Sequence, residues 1–392
     1  MSRMAPHHAR PPAVRRRQRR WQRLGGALAA LSVLTTASLY RWLDQASAEG
    51  RRMAAATAAS GTERPLQRTA VLRPLSLPGD DGPHANTMEW WYYNGHLRGA
   101  HGEHFAFHAA VFVHDGLVRH TAFHAALTDL RTGQRQTQQD RTAGVPGPPE
   151  GMAGGGFDFR HRGWRMAGAG AAHTVALSGP AIGLTLALRD PAEPLPHRAA
   201  GSATPGLLDF GAGGISYYYS RPRMFATGSV ATAGGPVPVQ GEVWFDHQWG
   251  DFDGGRLGWR WFALQLNDGG NLMVYDITDA QGRRLMTTGT LSDAAGVRTF
   301  GPEEIRLHST GAAWTSGRTG IRYPTSWTLA LPTGHYEVQP VQAASEFDAR
   351  DTTFNVYWEG PVRVLGAGGE SRGQGFLELS GYGRERAAAA VP

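Results

Sequence analysis

The chain has no cysteine. Disulfides, zinc–thiolate centres and thiol nucleophiles are therefore excluded together; the absence is compatible with a periplasmic location without establishing it. Lysine is missing too, since all 39 basic residues are arginine. Schiff-base catalysis and phosphate binding by a P-loop fall with it. Long helical periodicity is also lacking beyond the first 48 residues. Basic charge is scarce where it would matter for a polyanion. Nine arginines precede Glu49 against one acid, Asp44, while the remaining 30 are opposed by 32 acids. The net charge of +6 thus resides in the N-terminal end, and the rest, at about −2, gives no basis for nucleic-acid binding.

What is present begins with an Arg-rich start through Arg23, an apolar or small stretch from Leu24 to Tyr40, and Ala46-Ser47-Ala48, a small-x-small cleavage pattern. Residues 1–48 read as a signal peptide or signal anchor, and 49–66 as a linker. Seventeen apolar or small residues sit at the lower limit for a bilayer span. In either case the basic end stays cytoplasmic and the body is expected to be exported, periplasmic or anchored facing the periplasm.

The body is rich in glycine (53) and proline (24) and reads as strands separated by turns. Phe105, Phe107, Ala109, Val111 and Val113 alternate with His104, Ala106, His108, Ala110 and Phe112, the period of a strand. His114-Asp115-Gly116 then turns the chain into a hairpin, and Ala143–Gly156 reads as a loop. A weak repeat at an offset of 169 residues aligns Trp90, Tyr92, Tyr93 and Leu97 with Trp259, Trp261, Phe262 and Leu266. We expect an all-β chain of two consecutive antiparallel β-barrel or sandwich domains, at 67–250 and 251–392.

Two segments carry the chemistry: Glu89-Trp90-Trp91-Tyr92-Tyr93-Asn94-Gly95-His96-Leu97 and Gly241-Glu242-Val243-Trp244-Phe245-Asp246-His247-Gln248-Trp249-Gly250. Both embed proton-transfer groups among aromatic rings. A carboxyl in apolar surroundings resists ionisation and can act as an acid near neutral pH. Ring faces stabilise a nearby cation. Buried aromatics also simply fill cores, but Asp246-His247-Gln248 is a poor filler. No metal site is expected. Six histidines crowd His101–His124, yet strand neighbours four residues apart stand about 13 Å apart, too far to share an ion. Ser216 or Ser220 with the Asp–His pair would suit a hydrolase, but no Gly-x-Ser-x-Gly element exists.

Together with Tyr219-Ser220-Arg221, Gly258-Trp259-x-Trp261-Phe262 and Tyr357-Trp358-Glu359-Gly360, these blocks resemble the carotenoid 1,2-hydratase (hydroxyneurosporene synthase) and AttH-like superfamily, over roughly Pro74 to Tyr382. The resemblance implies two lipocalin-like β domains and is nearest to exported members described as secreted hydrolases, often encoded beside ABC transporters. For the hydratases it implies cofactor-free addition of water to a terminal isoprenoid double bond: an acid protonates the alkene, water captures the cation, and a base removes the surplus proton. His247-Gln248-Trp249 matches the family's His-x-Trp element. Tyr275-Asp276 departs from its Tyr-x-Asp element, and adjacency on a strand points the carboxylate away from the tyrosine.

On that basis Asp246 or Asp276 is the candidate acid, with Glu89 a second, and His247 orients water or relays the proton. Trp249 and Tyr275 supply ring faces, and Trp90, Trp91, Tyr93, Trp244, Trp259 and Trp261 bind the ligand. Glu89, Trp90, Asp246, His247, Trp249 and Tyr275 are expected to converge on one pocket between the domains. The alternatives are a non-enzymatic carrier of a lipid or other hydrophobic ligand serving an envelope ABC transporter, and a secreted hydrolase of unknown substrate.

Overall fold

A computed structural model describes residues 72–115, 118–145 and 155–383, so the proposed leader and linker lie outside the described residues. Thr69–Pro392 clusters as one compact unit. It is all-β. Among the described residues helical structure is limited to three 3₁₀ turns, and no helix is long and apolar enough to cross a membrane.

The first strands are β1 (Met88–Gly99), β2 (His104–His114), β3 (His120–Asp129), β4 (Arg135–Ala143), β5 (Phe157–His161) and β6 (Trp164–Ala169). Then come β7 (Ala172–Ser178), β8 (Gly183–Arg189), β9 (Leu195–Pro196), β10 (Leu207–Asp209), β11 (Gly214–Thr232) and β12 (Gly235–Phe252). They form one antiparallel sheet in the order β4-β3-β2-β1-β12-β11-β8-β7-β6-β5, with β9 and β10 paired to β11.

The second half repeats the plan with β13 (Gly258–Leu266), β14 (Asn271–Thr278), β15 (Arg284–Asp293), β16 (Gly296–Phe300), β17 (Arg306–Ser309) and β18 (Ala313–Thr315). It ends with β19 (Arg322–Pro324), β20 (Trp327–Leu331), β21 (Gly334–Pro340), β22 (Glu346–Ala349), β23 (Asn355–Leu365) and β24 (Ser371–Ser380). Its sheet runs β16-β15-β14-β13-β24-β23-β21-β20-β17. The change of sheet falls between Phe252 and Gly258.

The order β4-β3-β2-β1-β12-β11 corresponds to β16-β15-β14-β13-β24-β23. In this correspondence β1 matches β13, the pair the 169-residue offset aligns. The register carries it further: Tyr92 pairs with Asp246 and Trp261 with Glu378, so Asp246 and Glu378 occupy equivalent places in the two sheets.

Each sheet curls around an apolar core. The first contains Trp91, Tyr93, Phe245 and Trp249; the second contains Phe262, Val274, Trp358 and Leu377. A third cluster lies where the outer faces of the sheets meet, with Tyr92, Tyr218 and Trp244 from one and Trp261, Tyr275 and Phe376 from the other. Successive side chains on a strand point to opposite faces. Each aromatic strand near the centre therefore feeds two cores at once. Close strand approach fixes the ends of the Gly241–Gly250 motif: a Cβ on Gly241 would stand 1.9 Å from the His96 carbonyl oxygen, and one on Gly250 2.2 Å from that of Ile215.

Candidate functional site

Between the sheets lies a cavity of about 790 Å³, within the range of small-molecule sites. Trp90, Tyr92, Phe112, Tyr218, Trp259, Trp261, Tyr275 and Tyr357 line it, and Asp246, Gln248, Glu359 and Glu378 project into it. At its edge stand Arg318, Arg350 and Phe354, the last 73% exposed.

Register builds the site as two facing rows. In the C-terminal sheet Tyr275, Trp261, Glu378 and Glu359 lie side by side across four strands. In the N-terminal sheet Tyr92, Asp246 and Ser220 do the same. Ser220 Oγ donates a hydrogen bond to Asp246 Oδ1, as does Trp244 Nε1 at 2.7 Å, and the Tyr218 hydroxyl also bonds this carboxyl. His197 Nε2 stands 2.7 Å behind Ser220 Oγ. Trp261 Nε1 donates to the Tyr218 hydroxyl at 2.9 Å, tying the two rows together.

The carboxyls are held in unlike environments. Burial raises Asp246 to about 7 against the opposing pull of its Ser220, Trp244 and Tyr218 donors. Burial raises Glu378 to about 8, against a hydrogen bond from Trp259 and with Asp246 adding to the rise. Glu359 is pushed well above the carboxylate range by burial and by the Glu378 charge, although the Tyr92 hydroxyl donates to it. His108 Nδ1 lies 3.1 Å from Glu359 Oε1 but off the line of a hydrogen bond. The buried Gln248 side chain bonds the Tyr275 hydroxyl, a further tie between the two sheets.

The expected convergence on one pocket is not what the fold produces. Trp90, Asp246 and Tyr275 line the cavity, as do Trp259 and Trp261. Trp244 reaches it through its bond to Asp246. Glu89, Trp91, Tyr93, His247 and Trp249 are on the opposite face of the same strands, in or beside the first core. The cause is the two-residue period: Asp246 and Gln248 face one way, His247 and Trp249 the other. Glu89 accepts from His84 Nδ1 at 2.7 Å and from His247 Nε2 at 2.8 Å.

Asp276 is also elsewhere. It is fully buried at the end of the second core, bonded to Arg260 and Thr287, with Arg284 Nε at 3.0 Å. Its role there is an ion pair. This follows from its adjacency to Tyr275, which sends the two side chains to opposite faces.

Glu378, Glu359, Gln248, Tyr92 and Tyr218 are site residues that sequence reasoning did not single out. Glu359 and Gln248 sit inside quoted motifs. Glu378 has no motif of its own; only its register with Trp261 identifies it as the counterpart of Asp246.

Comparison with known proteins places this geometry in a family. The AttH-like family model matches residues 68–382. A Nitrosomonas europaea protein described as an AttH candidate is 27% identical, with a TM-score of 0.71 over 80% of this chain and 98% of its own. Kievitone hydratase from Nectria haematococca shares the fold at 14% identity, with a TM-score of 0.64 over 80% of this chain and 94% of its own. No curated protein matches the sequence. The match across the whole described body, on a fold of two curled antiparallel sheets, shows that this chain belongs to the AttH-like family.

Proposed function

We propose that this protein is a hydratase-type enzyme that adds water to a carbon–carbon double bond of a lipophilic, isoprenoid-like ligand held between the two sheets. The observation that carries this reading is the pair Glu359, buried, and Glu378, half-buried, directly opposite each other on β23 and β24 in an aromatic cavity. Two carboxyls so placed cannot both ionise in a water-poor site. At least one holds a proton at neutral pH, which alkene protonation requires. Glu378 donates it, and the faces of Trp259, Trp261 and Tyr275 stabilise the cation that forms. Water positioned beside Gln248 attacks the cation. Asp246, with its Oδ1 occupied by donors, takes up the surplus proton. Its equivalence to Glu378 sets acid and base on opposite walls. Kievitone hydratase, by its name a hydratase, shares this fold; at 14% identity it supports the fold alone.

The test is incubation of the purified protein with an acyclic carotenoid in ¹⁸O-labelled water. The product gains one labelled water, and Glu378→Gln lowers the rate about 10²–10⁴-fold while polyene binding persists. Unlabelled substrate throughout, with tight binding, selects the carrier reading instead. That reading is favoured by the apolar cavity itself, whose shape needs no acid to hold a hydrophobic ligand. Export and an envelope transporter partner belong to the same proposal; export rests on the N-terminal sequence, and the partner on the family resemblance alone.

A further inference from the structure

A second cluster, apart from the cavity, has the chemistry of a metal site. We propose that His84, Glu89 and His247 bind a divalent transition-metal ion of the zinc class on the opposite face of the N-terminal sheet. His84 Nδ1 and His247 Nε2 both point at Glu89 Oε1, at 2.7 and 2.8 Å, and the three potential ligand atoms lie within 4.8 Å of one another. Two imidazoles and a carboxylate are a donor set that zinc accepts, with a fourth position left for water.

The surroundings fix the rings. His84 stacks on Trp249 with centroids 4.1 Å apart and planes 1° from parallel; His247 stacks on Trp91 at 4.5 Å. His84 Nε2 lies 3.4 Å from Asp80 Oδ1, the position of a carboxylate that orients a metal-bound imidazole. Asp80 is itself held by Arg73 and by the backbone N–H of Ser76. The backbone N–H of His84 donates to Glu89 Oε2 at 2.8 Å, leaving Oε1 to the two rings. His247 Nδ1 is buried without a hydrogen-bond partner among the described residues, so that ring's only partnered nitrogen is Nε2.

Without an ion, two N–H protons occupy the gaps. An ion replaces them and requires the ligand atoms to separate to roughly 3.3 Å, the spacing set by tetrahedral bonds near 2.0–2.1 Å. His84 can yield the distance on its side, because it precedes β1 in a loop and its side chain is 16% exposed; the gap between the enclosed Glu89 and His247 has to widen by about 0.5 Å. The exposed edge of His84 is also the route by which an ion and its water enter. Because His247 alternates with Asp246 and Gln248 along β12, a bound ion would anchor the strand that carries the cavity's polar groups.

The full chain, stripped with a chelator, is titrated with cobalt chloride and with zinc chloride, following cobalt absorption and heat of binding. The expected result is one equivalent per chain with the intense visible band of a low-coordinate cobalt ion. His84→Ala and Glu89→Gln abolish that equivalent, and Asp80→Asn weakens it about 10–100-fold. His114→Ala with His120→Ala, a histidine pair on the cavity face of the same sheet, leaves it unchanged. His84→Ala carries the decision, since its loop position preserves the fold, to be checked by an unaltered melting curve. No uptake by the folded wild type, or uptake equal in wild type and His84→Ala, overturns the site and leaves a hydrogen-bonded His–Glu–His cluster.

Discussion

Among single residues, the cavity carboxyls hold their protons through burial. Glu378 is raised to about 8 in the folded protein from an ordinary value of 4.5. The unfolded chain therefore releases this proton first as pH rises. Its favourable contribution is intact below about pH 4.5 and is lost towards pH 8, at up to about 1.4 kcal/mol per pH unit. Urea unfolding of wild type and Glu378→Gln between pH 5 and 8.5 should show the wild type losing stability faster as pH rises. Parallel curves would mean that Glu378 is ionised in the folded state and is not the acid. Turnover should fall over the same upper range, as the acid loses its proton.

Asp276 gives the contrasting case. Its carboxylate satisfies Arg260, Arg284 and Thr287 and faces away from the cavity. Asp276→Asn should cost about 1–3 kcal/mol of stability and leave turnover of the surviving folded enzyme intact. Equilibrium unfolding beside a turnover assay checks both. Lost turnover at unchanged stability would return Asp276 to the chemistry.

At the scale of elements, strand alternation sorts the motifs. The Asp246–Trp249 tetrapeptide looks like one constellation in sequence, yet β12 divides it between a cavity and a core. The sequence showed that period in β2 but could not say that both faces of β1 and β12 would be buried. Aromatic residues on both faces hid which one met a ligand. The loop before β23 has its own signature. Phe354 adopts φ 62°, rare for a bulky residue, and its exposed ring lies at the cavity edge with the Arg141 guanidinium 5.3 Å from its centroid. Phe354→Ala should speed release of a bound polyene several-fold in stopped-flow fluorescence. An unchanged rate would place the ligand's exit elsewhere.

At the scale of the whole molecule, two similar halves meet through their outer faces. The all-β class and the β1–β13 repeat were legible because turn residues and paired aromatic positions are local signals. Glu378 was not, because β24 follows β12 by 132 residues rather than 169, so one fixed offset cannot align both strand pairs. The register across the sheets reveals it, and register is a long-range property. The His84–Glu89–His247 cluster escaped for the same reason, since β1 and β12 become neighbours only in the fold.

A crystal structure with a bound acyclic polyene would test whether chemistry occurs between the sheets. A terminal double bond is expected between Asp246 and Glu378, against the rings of Trp261 and Tyr275. A polyene threaded instead into the first core, beside Trp91 and His247, would contradict it.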